Sequence, residues 1–245
     1  MKMKFSVLLL FSSVCFFVGC ASTGALGDYY KPFIPDEVLD NCSEECILES
    51  EQEPKVYYSS KLNDDIDLLK SNYYMILGWS SYNGPSEDDI EEYTINFCKE
   101  KRALKRALIG LYSYKYTDTR QGIYSVGNYI GSYDIKRYDY DIVLFISMSK
   151  DYIQNQKTGF EIQSLDTSSR RRLQRNTGVV VDVVYAESSA FYANIIKDDV
   201  IIKINDTNII DKDDYFSVYE NLQKGQVVNL IIVRNGIERT ISYKL

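Results

Sequence analysis

Two pairs of residues have types and a spacing that could support catalysis. Ser113 with Lys115 would join a nucleophile to a base, and Asp139 with Asp141 would join two carboxylates, since residues i and i+2 of a strand share one face. Neither pair lies in a Gly-x-Ser-x-Gly or Ser-x-x-Lys motif. The chain contains no histidine, which excludes Ser-His-Asp and Cys-His catalysis. The sequence therefore predicts a protein that is not an enzyme and has no catalytic residues.

Thiols are the other reactive groups, and three cysteines lie beyond the N-terminal segment. Cys42 and Cys46 are close enough to form a disulfide in a loop, but side chains at i and i+4 of a regular helix rarely meet disulfide geometry. Their pairing therefore stays open. Two thiols without a third ligand do not indicate a metal site, so we expect no metal and no cofactor. Cys98 lies among apolar helix positions and is predicted to be a small buried hydrophobe.

The N-terminus has the pattern of an export signal that ends at an acylated cysteine. Basic residues precede the apolar stretch Phe5–Val18, which at 14 residues is too short to span a bilayer and suits a signal peptide. The sequence Phe17–Ala21 resembles the bacterial lipobox, which implies a signal peptide over residues 1–19 and lipidation of Cys20. Ordinary cleavage at this point is the alternative. Ala21 is not the aspartate that retains lipoproteins in the inner membrane, so the resemblance implies an outer-membrane location in the bacterial cell envelope.

Composition and charge limit the number of domains and the kinds of partner that the chain can have. The length of 245 residues predicts one or two domains. A net charge of −7 argues against a nucleic-acid partner, and the basic cluster Arg170–Arg172 is interpreted as a solvated helix face. Residues 20–54 are acidic, loosely patterned and interrupted by prolines. They predict a lipidated cysteine followed by a stalk.

An α/β domain of unknown role is predicted over residues 55–150. Four apolar or alternating stretches indicate strands: Lys55–Tyr58, Tyr73–Ser80, Leu108–Thr117 and Asp141–Ser147. Helices are predicted over Asp64–Lys70 and after a cap at Ser86, where apolar residues recur at helical spacing. This order implies a small α/β layer with the helix packed on one face of the sheet.

The glycine-rich segment Arg120–Arg137 connects the last two of these strands. It is not followed by Gly-Lys-Ser/Thr, so it does not indicate a phosphate-binding loop. A long mobile hairpin is the better interpretation. Its tyrosines Tyr124, Tyr129 and Tyr133 would offer a partner or glycan surface if exposed, and packing within the hairpin is the alternative.

The C-terminal part of the chain joins strands, tight turns and helix caps at characteristic distances. The apolar strand Gly178–Val184 is followed by a cap at Ser188–Ala190, a strand at Val200–Ile204 and a helix capped by Asp211. This pattern resembles a PDZ domain of the bacterial type, which implies such a domain over residues 151–245. The whole chain is similar to bacterial PDZ-domain lipoproteins. The expected fold class is α+β, with a small layered α/β middle domain followed by a PDZ-like, partly open β-barrel capped by two helices.

The resemblance implies where a ligand would bind. PDZ domains bind an extended peptide as an added strand beside their second helix, and a glycine-containing loop presents N–H groups to the terminal carboxylate. Here Gly159 and Phe160 match the second half of that loop, and Lys157 replaces its first glycine. The implied peptide-binding residues are Lys157, Thr158, Gly159, Phe160, Ile162, Tyr215 and Tyr219. Core packing is the alternative interpretation for their side chains.

Two functional hypotheses follow from this resemblance. The first is a lipid-anchored, non-catalytic cell-envelope protein that binds a peptide, or a chain terminus, of another envelope protein by β-strand addition. The second is a membrane-tethered accessory that presents substrates to an envelope protease. A groove filled by the chain itself stays open as well, because the carboxylate loop matches only in part.

Overall fold

The computed structural model describes residues 24–34, 53–86, 89–101, 108–151 and 157–245. The predicted signal peptide and the cysteines Cys20, Cys42 and Cys46 lie outside these ranges. The described chain is mixed α/β and forms two sheets, each with its own hydrophobic core. None of the helices in these ranges is long and apolar enough to cross a bilayer.

The first sheet contains all four strands predicted for the middle domain. Its described strands are β1 (Tyr30–Pro32), β2 (Lys55–Tyr58), β3 (Tyr74–Pro85), β4 (Leu108–Val126) and β5 (Tyr129–Ser147). Their order in space is β1-β3-β5-β4-β2, and neighbours run antiparallel except for β2 and β4. The helices packed on this sheet are α1 (Gly24–Asp28), α2 (Leu62–Ser71) and α3 (Ile90–Lys101).

Helices cover both faces of this sheet, whereas the sequence predicted a helix on one face. Ile66 of α2 packs in a cluster with Val143 and Phe145. Phe97 and Cys98 of α3 pack on the opposite face. The physical reason is the central strand β5, whose end is apolar on both faces and needs cover on each. Cys98 is a buried free thiol as predicted, and burial raises its pKa to about 12.

Residues 24–34 belong to the middle domain and not to the predicted stalk. Leu26 of α1 is 1% exposed in the core that α3 covers, and β1 pairs with β3. The Ser80 hydroxyl donates to the Leu26 carbonyl at 2.9 Å, which fixes α1 on the sheet. A five-residue helix and a three-residue strand are too short to show hydrophobic periodicity, so the sequence did not indicate them. The rest of the predicted stalk, residues 35–52, lies outside the described ranges.

The segment Arg120–Arg137 forms the far end of the β4–β5 hairpin, as predicted. Gly127 takes a φ of +61° at its turn. β3 pairs with β5 only as far as Arg137, so the hairpin continues beyond the sheet as a two-stranded ribbon. Ile123 and Ile130 are 76% and 72% exposed on it. The tyrosines of interest are exposed as well: Tyr124, Tyr129 and Tyr133.

The second sheet is formed by the C-terminal part of the chain. Its strands are β6 (Phe160–Ser164), β7 (Val179–Val184), β8 (Val200–Ile204), β9 (Thr207–Asn208), β10 (Val227–Arg234) and β11 (Ile237–Lys244). Their order is β11-β10-β8-β7-β6, all antiparallel, and β9 pairs with β8. The helices of this part are α4 (Thr167–Leu173), α5 (Ser189–Tyr192) and α6 (Lys212–Asn221). β6 therefore lies at one edge of the sheet.

The local structure of this part follows its turn and cap residues. The Ser188 hydroxyl accepts from the Phe191 N–H at 3.1 Å and caps α5, while the Asp211 carboxylate caps α6. Asn194 and Asp198 take φ values of +59° and +72° in the turns after α5. Asparagine and aspartate tolerate this left-handed conformation better than most residues. These two turns therefore form without glycine.

A buried ion pair joins the turn before β8 to β10. Asp199 is fully buried, and its carboxylate accepts from the Arg234 guanidinium at 2.6 and 2.7 Å. The same carboxylate accepts from the Ile196 N–H at 3.0 Å. Arg234 also donates to the Asn194 carbonyl at 2.7 Å. The pair therefore fixes the chain around α5 to the central strands.

The two sheets contact each other through α2 and the residues around β7. The Lys70 ammonium lies 2.6 Å from the Asp182 carboxylate. The Tyr73 and Tyr185 rings stack with 6.2 Å between their centroids, and the Tyr73 hydroxyl donates to the Ala186 carbonyl. No sequence motif indicated this contact, because each partner comes from a different domain.

Candidate peptide-binding groove

The groove lies between the free edge of β6 and the helix α6. β6 pairs with β7, and no other described strand pairs with it. α6 lies beside its start, where the ring centroids of Phe160 and Tyr215 are 6.4 Å apart. An edge strand offers a row of unpaired N–H and C=O groups to another extended chain. The β6–α6 groove thus has the two walls that strand addition requires.

The loop before β6 depends on Gly159. Its φ is +73°, a conformation that L side chains rarely adopt. A Cβ at this position would lie 2.7 Å from the Ser188 Cβ. The Ser188 hydroxyl donates to the Gly159 carbonyl at 3.0 Å, so the residue that caps α5 also holds the loop. The sequence identified Ser188 as a cap, but its second role depends on a contact across the fold.

Thr158, the residue before the glycine, is buried at 4% exposure. Its hydroxyl donates to the Phe160 carbonyl at 3.2 Å and forms a side-chain hydrogen bond with Tyr215. The Tyr243 hydroxyl donates to the Thr158 carbonyl at 3.3 Å. Burial raises the pKa of Tyr215 to about 12, so this phenol remains protonated at neutral pH. Thr158 is therefore a satisfied buried polar residue that anchors the loop.

Lys157 connects the loop to the C-terminal end of α6. Its ammonium donates to the carbonyls of Tyr219 and Glu220, both at 3.1 Å, and lies 4.9 Å from the centroid of the Tyr219 ring. The last carbonyls of a helix lack intrahelical partners and carry the negative end of its dipole, so they favour a cation. Lys157 thereby places a positive charge at the end of the groove next to the glycine loop.

The structure brings all seven predicted ligand residues together, but it distributes them between the core and the surface. The buried ones are Thr158, Gly159, Phe160 and Tyr215. Those that keep exposed surface are Lys157, Ile162 and Tyr219. The buried rings of Phe160 and Tyr215 therefore form the floor of the groove. The three residues with exposed surface are available to a ligand.

Phe216 is a candidate wall residue that the sequence analysis did not name. It is 47% exposed, and its ring centroid lies 6.5 Å from that of Tyr219 and 5.5 Å from that of the buried Tyr215. Phe216 and Tyr219 have the i and i+3 spacing that places two side chains on one helix face. Phe216 therefore extends the exposed aromatic surface of α6 next to Tyr219, and that spacing was the available clue.

The pairs considered for catalysis have structural partners in the first sheet. Ser113 faces Asp141 and Lys115 faces Asp139 across β4 and β5. The Asp141 carboxylate accepts from the indole N–H of Trp79 at 3.2 Å. The Asp139 carboxylate accepts from the side-chain amide of Asn83 at 2.8 Å. These bonds connect β3 to β5 on one face of the sheet.

Residues 154–245 match the family model described as "PDZ domain". These residues form a PDZ domain. The match begins three residues after the boundary predicted from the sequence and includes the loop, β6 and α6. No curated protein matched the chain.

Solved structures similar to the chain include "HtrA-type protease AlgW with decapeptide", at 19% identity and a TM-score of 0.33 over 51% of this chain and 40% of that one. Another is the HtrA3 PDZ domain bound to a phage-derived ligand (FGRWV), at 17% identity and a TM-score of 0.31, covering 35% of this chain and 80% of that one. The chain thus spans less than half the length of the AlgW chain it matches.

Proposed function

We propose that this chain is a non-catalytic, lipid-anchored protein of the bacterial cell envelope whose PDZ domain binds an extended segment of another envelope protein. The observation that carries the proposal is the edge of β6 beside α6 within a PDZ domain, an edge that no other described strand pairs with. PDZ ligands bind by adding a strand at such an edge, with main-chain hydrogen bonds giving affinity and side-chain pockets giving specificity.

The chemistry of the groove favours an apolar ligand residue followed by a negative charge. Ile162, Phe216 and Tyr219 offer apolar surface, and the floor is already filled by large rings. Lys157 supplies a cation at the end of the groove, where a terminal carboxylate or an acidic side chain would be attracted. Because Lys157 is bound to helix carbonyls, it is positioned without a ligand.

The first test selects peptides from a phage library with the full-length protein in a maltoside detergent and then compares variants. Ile162→Arg is expected to weaken the selected peptide at least about tenfold, because it buries a charge at the strand-addition edge. Gln163→Arg is the matched control, since the next residue points to the other face of β6 and is exposed. Amidation of the peptide terminus distinguishes a free carboxylate from an internal segment.

Two outcomes of this selection would count against the proposal. One is the absence of any selected peptide, and the other is an equal loss of affinity in both arginine variants while circular dichroism stays unchanged. Crosslinking in cells addresses the partner. Recovery of an envelope protease would support the accessory role, and recovery of other envelope proteins supports peptide docking as proposed.

The lipid anchor is tested separately with Cys20→Ala. Each buried methylene contributes about 0.8 kcal/mol, so two or more acyl chains hold a protein on the membrane stably. We expect the wild-type protein to incorporate labelled palmitate and to sediment with membranes, and the Cys20→Ala variant to lose the label. Cys98→Ala is the control, because its thiol is buried. Equal labelling of the wild type and the Cys20→Ala variant would exclude this anchor.

A further inference from the structure

A second concave site lies on the first sheet, away from the PDZ domain. The start of α3 and the facing strands β4 and β5 enclose a pocket of about 280 Å³. Its lining includes a carboxylate, an aliphatic side chain and four phenol rings: Glu91, Ile90, Tyr112, Tyr114, Tyr138 and Tyr140. None of these residues belongs to the peptide-binding groove, so the pocket needs its own explanation.

The tyrosines form a connected aromatic wall because of the register between β4 and β5. Tyr114 lies opposite Tyr140, and its ring centroid is 6.1 Å from that of Tyr140 and 5.8 Å from that of Tyr138. The Tyr114 and Tyr138 rings are nearly perpendicular, at 85°. The Tyr140 hydroxyl donates to the Pro85 carbonyl at 3.0 Å, which fixes this ring at the base of the wall. Tyr114 is 46% exposed and forms the rim.

The charge at this pocket is negative. The Tyr112 hydroxyl donates to the Glu91 carboxylate at 3.4 Å, which directs Glu91 toward the aromatic wall. Burial, and then the neighbouring Glu91, raise the pKa of Tyr112, so this phenol stays neutral and keeps donating. Among the described residues that line the pocket, none is a lysine or an arginine. The carboxylate therefore has no cation of its own within the lining.

We propose that this pocket binds an organic cation, namely an ammonium group carried on a small ligand or on a lysine side chain. Aromatic ring faces attract cations through their quadrupole, and this pocket combines several tyrosine rings with one carboxylate. A neutral ligand would gain the contact area of the rings but no charge attraction from Glu91. The ligand charge is also opposite to the net charge of −7 carried by the chain.

The test uses calorimetric titration of the full-length protein in a maltoside detergent, which has no ammonium headgroup. Choline is compared with 3,3-dimethylbutan-1-ol, which has the same branched shape and hydroxyl but no charge. We expect choline to bind at least about tenfold more tightly than the neutral alcohol. Nα-acetyl-lysine amide is the third probe, and tighter binding of this compound than of choline would identify a lysine side chain as the source of the ammonium group.

Matched variants locate the binding. Glu91→Gln is expected to weaken choline about fivefold or more, and Glu92→Gln, one residue along α3 and outside the lining, about twofold or less. Tyr114→Leu is expected to weaken choline about tenfold, with Tyr133→Leu as the control, since that ring has similar exposure on the hairpin. Equal binding of the neutral alcohol, unchanged affinity in Glu91→Gln, or no binding of either ammonium probe would overturn the proposal. Peptide binding by the PDZ domain is independent of each of these outcomes.

Discussion

Replacing Arg234 with Met is expected to destabilise the PDZ domain by about 3–5 kcal/mol, because the change leaves the carboxylate of Asp199 buried without its cation. Asp199 is fully buried, and the guanidinium makes two hydrogen bonds to it at 2.6 and 2.7 Å. Of the hydrogen bonds to this carboxylate named above, the variant keeps the one from the Ile196 N–H, at 3.0 Å. One N–H group cannot compensate a buried charge that has lost its guanidinium.

The control for this prediction is Arg172→Met. The Arg172 guanidinium also lies close to a carboxylate, 2.9 Å from Asp198, but both side chains are about half exposed. Exposed pairs of this kind contribute about 1 kcal/mol or less. Tryptophan fluorescence would not report on unfolding of the PDZ domain, because Trp79 lies in the other domain. Amide hydrogen exchange at the buried residues Val200 and Ile232 should therefore be used to measure the free energy of unfolding of the PDZ domain. Equal costs for the two variants would show that the Asp199 pair contributes no more than a surface pair.

Replacing Gly159 with Ala is expected to abolish peptide binding and to destabilise the PDZ domain by about 2–5 kcal/mol. A φ of +73° costs a residue with a Cβ about 1–2 kcal/mol, and overpacking against Ser188 adds about 1–3 kcal/mol. The contact cannot be relieved by rotating Ser188 alone, because its Cβ as well as its Oγ would lie within 2.8 Å of the new methyl group. The loop must therefore move, and β6 begins at the next residue.

Gly236→Ala separates the two causes of this effect. Gly236 has a φ of +77°, nearly that of Gly159, and a Cβ there would meet nothing within 4 Å. This variant should lose only the stability that the left-handed conformation costs, and it should bind peptide as the wild type does. Calorimetric titration gives the affinity and denaturant unfolding gives the stability. If Gly159→Ala retained full affinity, the glycine loop would have no part in the site.

The scaffold of the PDZ domain was predictable because its signals are local. The cap at Ser188, the apolar strand around Val180 and the left-handed turns at Asn194 and Asp198 each depend on a few neighbouring residues. Such short-range rules apply before any tertiary contact is known. The strands of the middle domain were predictable for the same reason, since their alternation and apolar runs are properties of single segments.

The features of the fold and of the groove that could not be predicted depend on contacts between segments distant in the sequence. Burial of Leu26 places residues 24–34 on the first sheet, but a single apolar residue within the predicted stalk carries no periodic signal. Lys157 departs from the usual glycine, and only the fold shows that it binds the last carbonyls of α6. Helical spacing put Tyr215 and Tyr219 on one face but could not separate the floor from the wall.

The pocket lined by Glu91 and the four tyrosines could not be predicted from the sequence for the same reason. The alternation around Tyr114 predicted a strand and which residues share its face. Its position opposite Tyr140 is set by the turn of a hairpin whose strands are 19 residues each, and Glu91 arrives from a separate helix. Sequence spacing alone cannot bring three such segments to one point.

In the proposed function, the edge of β6 receives an added peptide strand. The most direct measurement is nuclear magnetic resonance of the full-length protein with a selected, isotope-labelled peptide, recording contacts between the two backbones and amide exchange along β6. Strand addition predicts backbone contacts between the peptide and Phe160–Ser164, slowed exchange at alternate amides there, and side-chain contacts to Tyr219. A peptide that binds with unchanged exchange in β6 and contacts elsewhere on the domain would contradict the account.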